Sequence, residues 1–472
     1  MTSLTDQVAH LRFVSTDTPD RALALAHAPV IRFDVREPFQ PLAVGYTVFR
    51  ANGTSPSFPR DIVLDGRGAV CIEYAIWWDW DIQHLYELEH IWVFLDADGR
   101  LADADASWHG GYSRMIDEHG ALPAEDGRLV VCSEPGKHAF APSPAWLIER
   151  KPHTVRSCTS RSGAGGVWVT PLFEGVIHDR NPNTNQLVRT YLERHAFEPT
   201  HQFDLRFALE KAICVPWDTL NAWIPPRVTA WLDELERTIP PHERRVLRIA
   251  HRGASAHAQE NSANAIRIAA ELGSDLVEVD VRVTADGVPV ISHDDSLNRV
   301  YGVPGRIPEL TLEQLQAAAP VMTFDQLLEQ SREVGIGLYL DIKALTPVAA
   351  ARMFSAVDRT GMKSAVIFAS FSVDTVTEIK ANRPDVVTSI LFGSTHVDPV
   401  ALAQATGADV VHPCWERVSD DPSTLLTPEW LARVRAAKLG VVTWHEERPP
   451  VIASLKRLGV TGICSDNPEL LV

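Results

Sequence analysis

The sequence predicts two domains: a β-rich sandwich or jelly roll, then an α/β domain of the (β/α)8 TIM-barrel type. Three observations carry this. The chain has 472 residues, long for one domain and suited to two. From Val246 onward, short apolar strands alternate with amphipathic stretches, the pattern of a parallel sheet buried under helices. Ten of the 13 tryptophans fall before residue 245, so the two parts have different cores.

Residues 1–220 form the expected β-rich domain. VIRFDV, AVGYTVF, DIVLD, AVCIEYAIWW, HIWVFLD, RLVVC and GVWVTPLF are short and rich in β-branched and aromatic residues. Turn-type segments such as ANGTSPS, DGRG and DADG separate them. Residues 221–245 read as a linker helix. Val228, Trp231, Leu232 and Leu235 make one helical face, bracketed by Pro225-Pro226 and Pro240-Pro241.

Residues 246–472 form the expected barrel. Its strands are VLRIAH, LVEVDVRV, LYLDIK, AVIFASF, VTSILF, DVVHPC, GVVTWH and TGICSD, eight in all. VPVISHD is excluded from the count, because the four residues TADG before it cannot make a parallel crossover. Asp286-Gly287 suits a hairpin turn instead. A helix is expected from Ser262. Thr311 with Gln314 and Thr323 with Gln326 fit capping boxes, predicting two more helices after the hairpin.

Composition narrows the function. With 44 basic and 61 acidic residues the net charge is −17, which argues against nucleic acid and anionic membranes as partners. No apolar run is long enough to span a bilayer, so no transmembrane segment is expected. No signal peptide is visible, and the six cysteines are sparse and form no Cys-x-x-Cys pair, which together predict a cytoplasmic location.

In such a barrel, function gathers at the C-terminal ends of the strands. The first strand ends in His251-Arg252-Gly253. The second carries Glu278 and Asp280 on one face, and the hairpin returns to His293-Asp294. The third ends in Asp341-Ile342-Lys343, the seventh in Trp444, the eighth in Ser465-Asp466. Three carboxylates from neighbouring strands suit a hard divalent cation, Ca²⁺ or Mg²⁺. Arg252 and Lys343 suit phosphate oxygens, and two histidines suit proton transfer near neutral pH. Together they point to phosphoryl chemistry. Glu260 and Asn261 either cap the helix that follows or enter the pocket, where Glu260 braces Arg252. Asp466 is expected to orient a loop or the last helix.

These residues resemble the glycerophosphodiester phosphodiesterase family. HRG at 251–253, QENS with Glu260 and Asn261, and EVDVRVTADGVPVISHDDSLNR at 278–299 look like that family's opening motifs. DIK at 341–343, SF at 370–371, TWHEE at 443–447 and GVTGICSDNP at 459–468 follow in the family's order. The resemblance covers Arg248 to the C-terminus. It implies Glu278, Asp280 and Asp341 as ligands of one divalent metal ion, and His251 and His293 as the acid–base pair. It further implies Arg252 and Lys343 as phosphate contacts, Trp444 as a pocket wall, and a small phosphodiester substrate, a glycerophosphodiester, hydrolysed to glycerol phosphate and an alcohol. The family has glutamate where this chain has Asp341, which implies a shifted ion or an added water. Its WTVN run reads Trp444-His445-Glu446-Glu447 here. Two other readings are phospholipase D-like cleavage of lysophospholipid head groups, and a glycan- or lipid-binding protein with a scaffold barrel. The intact HRG and HD pairs argue against the second.

In the first domain, DWDIQHLYELEHIWVFLD, ASWHGGY and EPGKHAF bring His84, Glu87, Glu89, His90, His109 and His138 near aromatic strands. A metal set of His84, Glu87 and Glu89 fits the residue types. The stretch distantly resembles the β-sandwich of necrosis- and ethylene-inducing-like proteins, with Tyr86 and Leu88 in place of a histidine and a tryptophan. Either these residues pack a sandwich, or the Trp-rich surface contacts a glycan, a lipid head group or the barrel.

Overall fold

The structure is a computed structural model that describes residues 3–472. The chain divides into two compact units, residues 1–180 with 187–239, and residues 181–186 with 240–472. No helix among the described residues is long and apolar enough to cross a membrane.

The first unit holds two main β-sheets with helices around them. One sheet runs through Phe140–Ala141, Arg128–Ser133, Val30–Phe33 and Leu205–Ala208. The other centres on the long strands Val70–Trp80 and His84–Leu95, paired from Val70↔Leu95 to Trp80↔Leu85. Trp77, Trp78 and Tyr86 are wholly buried. The expected strand over 166–173 is only Gly166–Val167, because only these two residues pair, with His84 and Leu85. A 3-10 turn, Pro171–Phe173, follows shortly after.

The expected linker helix is corrected. It runs Trp217–Thr238, and Pro225 and Pro226 lie inside it rather than at its border. An interior proline costs about 3 kcal/mol or more through its missing N–H and ring clash. Packing offsets this, since Trp217, Leu220, Trp223, Ile224, Val228, Leu232 and Leu235 enter the first unit's core. Arg227, buried one residue after the prolines, grips Asp79 through two bonds of 2.9 and 2.6 Å. This helix is therefore a core element of the first unit.

The second unit is a closed barrel of eight parallel strands. They are β1 (Leu247–Ala250), β2 (Leu276–Val283), β3 (Gly337–Ile342), β4 (Val366–Ser370), β5 (Val387–Phe392), β6 (Val410–Pro413), β7 (Gly440–Thr443) and β8 (Gly462–Ser465). Each pairs with the next, and β1 also pairs with β8, which closes the ring. The run VPVISHD forms the antiparallel strand Pro289–Ile291 against β2, as the hairpin reading requires. Gly287 takes φ 74° at that turn, a conformation glycine adopts without strain. Both capping boxes form, at Thr311 with Gln314 and at Thr323 with Gln326. Inside the barrel, Ile249, Tyr339, Ala369, Leu391, Val410, Val442 and Cys464 fill the space below the strand ends. This apolar plug gives the polar residues above it a rigid floor.

Candidate active site

Register builds the site. β2 and β3 pair with Asp280 opposite Asp341, and Glu278 lies two residues earlier on the same face of β2. Glu278, Asp280 and Asp341 are each almost fully buried, and one oxygen from each lies within 4.8 Å of the others. Burial, then Asp280 and Asp341, push the Glu278 carboxyl well above its ordinary value. Burial also raises Asp341. Asp280 goes the other way: burial opposes it, but Lys343 and Arg252 hold it low.

Lys343 Nζ stands 3.1 Å from Asp280 Oδ1 and bonds Asp341 Oδ2 directly. Burial works against its charge, but Asp341 and Asp280 hold it above the usual lysine value. Arg252 Nε lies 3.5 Å from Asp280 Oδ2. The chain turns sharply here: Arg252 has φ 54°, and its backbone N–H donates to Glu278 Oε2 at 2.9 Å. At Gly253 a Cβ would come within 2.5 Å of Ala265, so the HRG glycine is required by this close approach.

The donor set fits a hard divalent cation. Glu278 Oε1 and Asp341 Oδ1 are buried without a hydrogen-bond partner, and Asp280 Oδ1 faces only the Lys343 ammonium, at 3.1 Å. Buried carboxylate oxygens normally have partners, and unpartnered ones in one cage suit coordination of a metal.

The two histidines flank this cage, each backed by a carboxylate. His251 Nδ1 and Asp466 Oδ1 are 2.6 Å apart. Its Nε2 is buried with no hydrogen bond, 3.9 Å from Glu278 Oε2. Burial lowers the His251 imidazole below its usual value, so it is neutral at pH 7. His293 Nδ1 and Asp294 Oδ1 are 2.7 Å apart. The wall is aromatic: Trp444 lies 5.1 Å from His251 and 5.8 Å from Phe371, and Lys343 Nζ is 5.7 Å from both the Trp444 and Phe371 rings.

Two expected pocket residues turn out to be braces. Asn261 gives Nδ2 to Asp280 Oδ2 at 2.9 Å and takes the Asp280 N–H at 3.2 Å, so its amide orients a carboxylate and is not free for substrate. Glu260 lies 3.3 Å from Arg252 and also binds Arg299. The helix cap is Ser262.

Sequence reasoning missed Asp294 and Arg299 as partners, and missed two residues of the TWHEE run. His445 stacks on His251 at 4.8 Å and 11°, with Nδ1 3.8 Å from Asp466. Glu447 fixes the end of β8 through Ser465, the Asp466 N–H and Asn467, at 2.9, 2.7 and 2.8 Å. The signal for Asp294 was present, since a proton-transferring histidine needs a carboxylate on its other nitrogen.

In the first unit, the set His84, Glu87 and Glu89 does not assemble. Asp81, not Glu89, approaches His84 and Glu87 within 4.8 Å. Tyr86 sits at φ 55°, which breaks the strand alternation. Glu89 instead bonds Ser107. Lys137 already pairs with Asp81 at 2.8 and 2.9 Å. His109 pairs with Glu134 at 2.6 Å, and His138 stacks on Trp78 at 4.7 Å and 7°.

Three carboxylates, two cationic side chains and two backed imidazoles gather at the C-terminal mouth of a (β/α)8 barrel, the arrangement of a phosphoric diester hydrolase. Residues 251–470 match the model of the glycerophosphoryl diester phosphodiesterase family. A glycerophosphodiester phosphodiesterase of Caldanaerobacter subterraneus subsp. tengcongensis is 26% identical over 243 residues, covering 48% of this chain and 97% of that protein. Glycerophosphodiester phosphodiesterase 1 of Rattus norvegicus is 47% identical over 76 residues, 16% of this chain and 23% of that protein. Among solved structures, a glycerophosphodiester phosphodiesterase from Agrobacterium tumefaciens aligns at 23% identity and TM-score 0.43, covering 48% of this chain and 99% of that one. An Oleispira antarctica phosphodiesterase in complex with the product sn-glycerol-3-phosphate aligns at 22% identity and TM-score 0.42, covering 47% and 94%.

Proposed function

We propose that the barrel hydrolyses glycerophosphodiesters to a glycerol phosphate and an alcohol, with one divalent cation held by Glu278, Asp280 and Asp341. The observation that carries this reading is the buried cage of orphaned carboxylate oxygens between two carboxylate-backed histidines. When bound, such a cation withdraws charge from phosphate oxygens and so favours attack at phosphorus.

The chain's own residues do the rest. Arg252 and Lys343 hold non-bridging phosphate oxygens and stabilise their growing charge. His251 is neutral and has a free Nε2, so it accepts the proton of the attacking water. His293 has its Nδ1–H committed to Asp294 and, once it carries a second proton on Nε2, donates that proton to the departing alkoxide. Trp444 and Phe371 wall the mouth beside Lys343.

The test is product analysis with glycerophosphocholine, other glycerophosphodiesters and lysophosphatidylcholine, in the presence of Ca²⁺, Mg²⁺ or Mn²⁺. Release of glycerol phosphate from the deacylated diesters is expected. Turnover confined to the acylated substrate would instead indicate cleavage of lysophospholipid head groups. Binding of glycans or lipids with no turnover would make the barrel a scaffold.

A further inference from the structure

Arg299 belongs to none of the residue sets expected at the site, yet it joins two of them. It lies on the one-turn helix Asn298–Tyr301, just beyond the hairpin that carries His293. Its Nε meets Asp294 Oδ2 at 2.5 Å. Its two terminal nitrogens meet the Glu260 oxygens at 2.9 and 2.6 Å. All three guanidinium nitrogens are thus committed to two carboxylates on different loops.

Each of those carboxylates holds a functional side chain with its remaining capacity. Asp294 Oδ1 takes His293 Nδ1 at 2.7 Å. Glu260 lies 3.3 Å from Arg252, and Arg252 Nε lies 3.5 Å from Asp280. An unbroken polar chain therefore runs His293–Asp294–Arg299–Glu260–Arg252–Asp280. We propose that Arg299 is a positioning residue that orients His293 and Arg252 together through its two carboxylates. This inference rests on the phosphodiesterase reading of the same site.

Three features support it. The Arg299 side chain is 50% exposed, so it fills no core space, and exposed ion pairs add little to stability. Its fork matches two carboxylates at once, which a lysine ammonium cannot reproduce. Asp294 accepts from His293 on one oxygen and from Arg299 on the other, so the arginine stops the carboxylate from rotating away. In the neutral ring that contact keeps hydrogen on Nδ1, so the second proton the ring takes up sits on Nε2, toward the substrate.

The test combines kinetics with a spectroscopic readout on the full chain. Arg299→Ala is expected to lower kcat by about 10²-fold, the scale of an ångström-sized misplacement, with a smaller change in KM. Arg299→Lys should recover less than about a tenth of the lost rate, and millimolar guanidinium, but not ammonium, should rescue Arg299→Ala. In an Asp294→Asn, Glu260→Gln background the further loss from Arg299→Ala should shrink to less than about threefold. ¹⁵N NMR of the His293 ring in its neutral form should show the Nδ1–H tautomer in the parent protein and a mixture in Arg299→Ala. Losses that multiply independently, full activity in Arg299→Lys, or an unchanged His293 tautomer would overturn the proposal. The NMR readout does not depend on turnover. A parent protein that cleaves no phosphodiester yet shows the tautomer shift defeats the functional reading and not the role of Arg299.

Discussion

Replacing Asp466 by asparagine isolates what the carboxylate behind His251 contributes. Asp466 Oδ1 stands 2.6 Å from His251 Nδ1 and takes the Ser255 hydroxyl at 2.7 Å, while its backbone N–H is pinned to Glu447. Asparagine keeps the shape and removes the charge. A hydrogen bond to a charged group is worth about 1.5–3 kcal/mol. At about 1.4 kcal/mol per tenfold, its loss in the transition state lowers kcat by roughly 10- to 150-fold. KM should move less, because the carboxylate binds the imidazole and not the phosphate. The pH dependence gives a second sign. Burial already lowers His251 below 6.5, so the proton acceptor is lost only as pH falls through that lower value. Asp466 favours the imidazolium, so its removal lowers the His251 value further and moves the acid limb of kcat/KM to lower pH. The assay is the initial rate of glycerol phosphate release between about pH 4 and about pH 8. A variant within about threefold of the parent, or an acid limb moving to higher pH, would refute the reasoning.

Two further outcomes follow from the geometry. Trp444→Ala removes the wall beside His251 and Lys343, and should raise KM by about tenfold, the worth of one lost aromatic contact, with a smaller fall in kcat; an unchanged KM would place substrate elsewhere. In the first unit, burial raises the Glu89 carboxyl to about 7 and Glu87 well above the ordinary range, so the folded form gains protons and stability as pH falls from 7. Burial opposes ionisation of Glu134, but its hydrogen bond to His109 holds it at about 2, so that contribution is lost as pH falls below its ordinary 4.5. Burial also holds His84 at about 4 and His90 at about 3, and these take the opposite sign below pH 6.5. The Glu89 contribution is therefore read as a difference: the melting temperature of the parent relative to Glu89→Gln should rise as pH falls from about 7 to about 5, and a difference that stays flat or falls would contradict the sign.

Most of the barrel could be read from the chain, for a physical reason. Parallel strands buried on both faces are apolar runs, so Glu278, Asp280, Asp341 and His251 stand out as polar breaks at strand ends. The hairpin was legible because TADG is too short for a crossover. What escaped depends on distant partners. Arg299 looks like an ordinary surface arginine until the fold brings Glu260, 39 positions earlier, against it. Asn261 looked like a pocket residue because spacing does not say which way an amide turns. Pro225-Pro226 looked like a helix border because local propensity forbids interior prolines, and only the tertiary burial of Trp223, Ile224 and Val228 offsets that cost. In the first unit, residue types alone could not show the left-handed backbone at Tyr86, nor that Asp81 rather than Glu89 stands beside His84 and Glu87.

The central claim is that one divalent cation in the Glu278–Asp280–Asp341 cage enables phosphodiester hydrolysis. Its most direct test is glycerol phosphate release from glycerophosphodiesters by metal-stripped protein, before and after graded addition of Mg²⁺, Ca²⁺ or Mn²⁺, beside Glu278→Gln treated in the same way. The expected result is no release without metal, saturable recovery in the parent and little recovery in the variant. Undiminished release by the stripped protein, or equal recovery in Glu278→Gln, would contradict the claim.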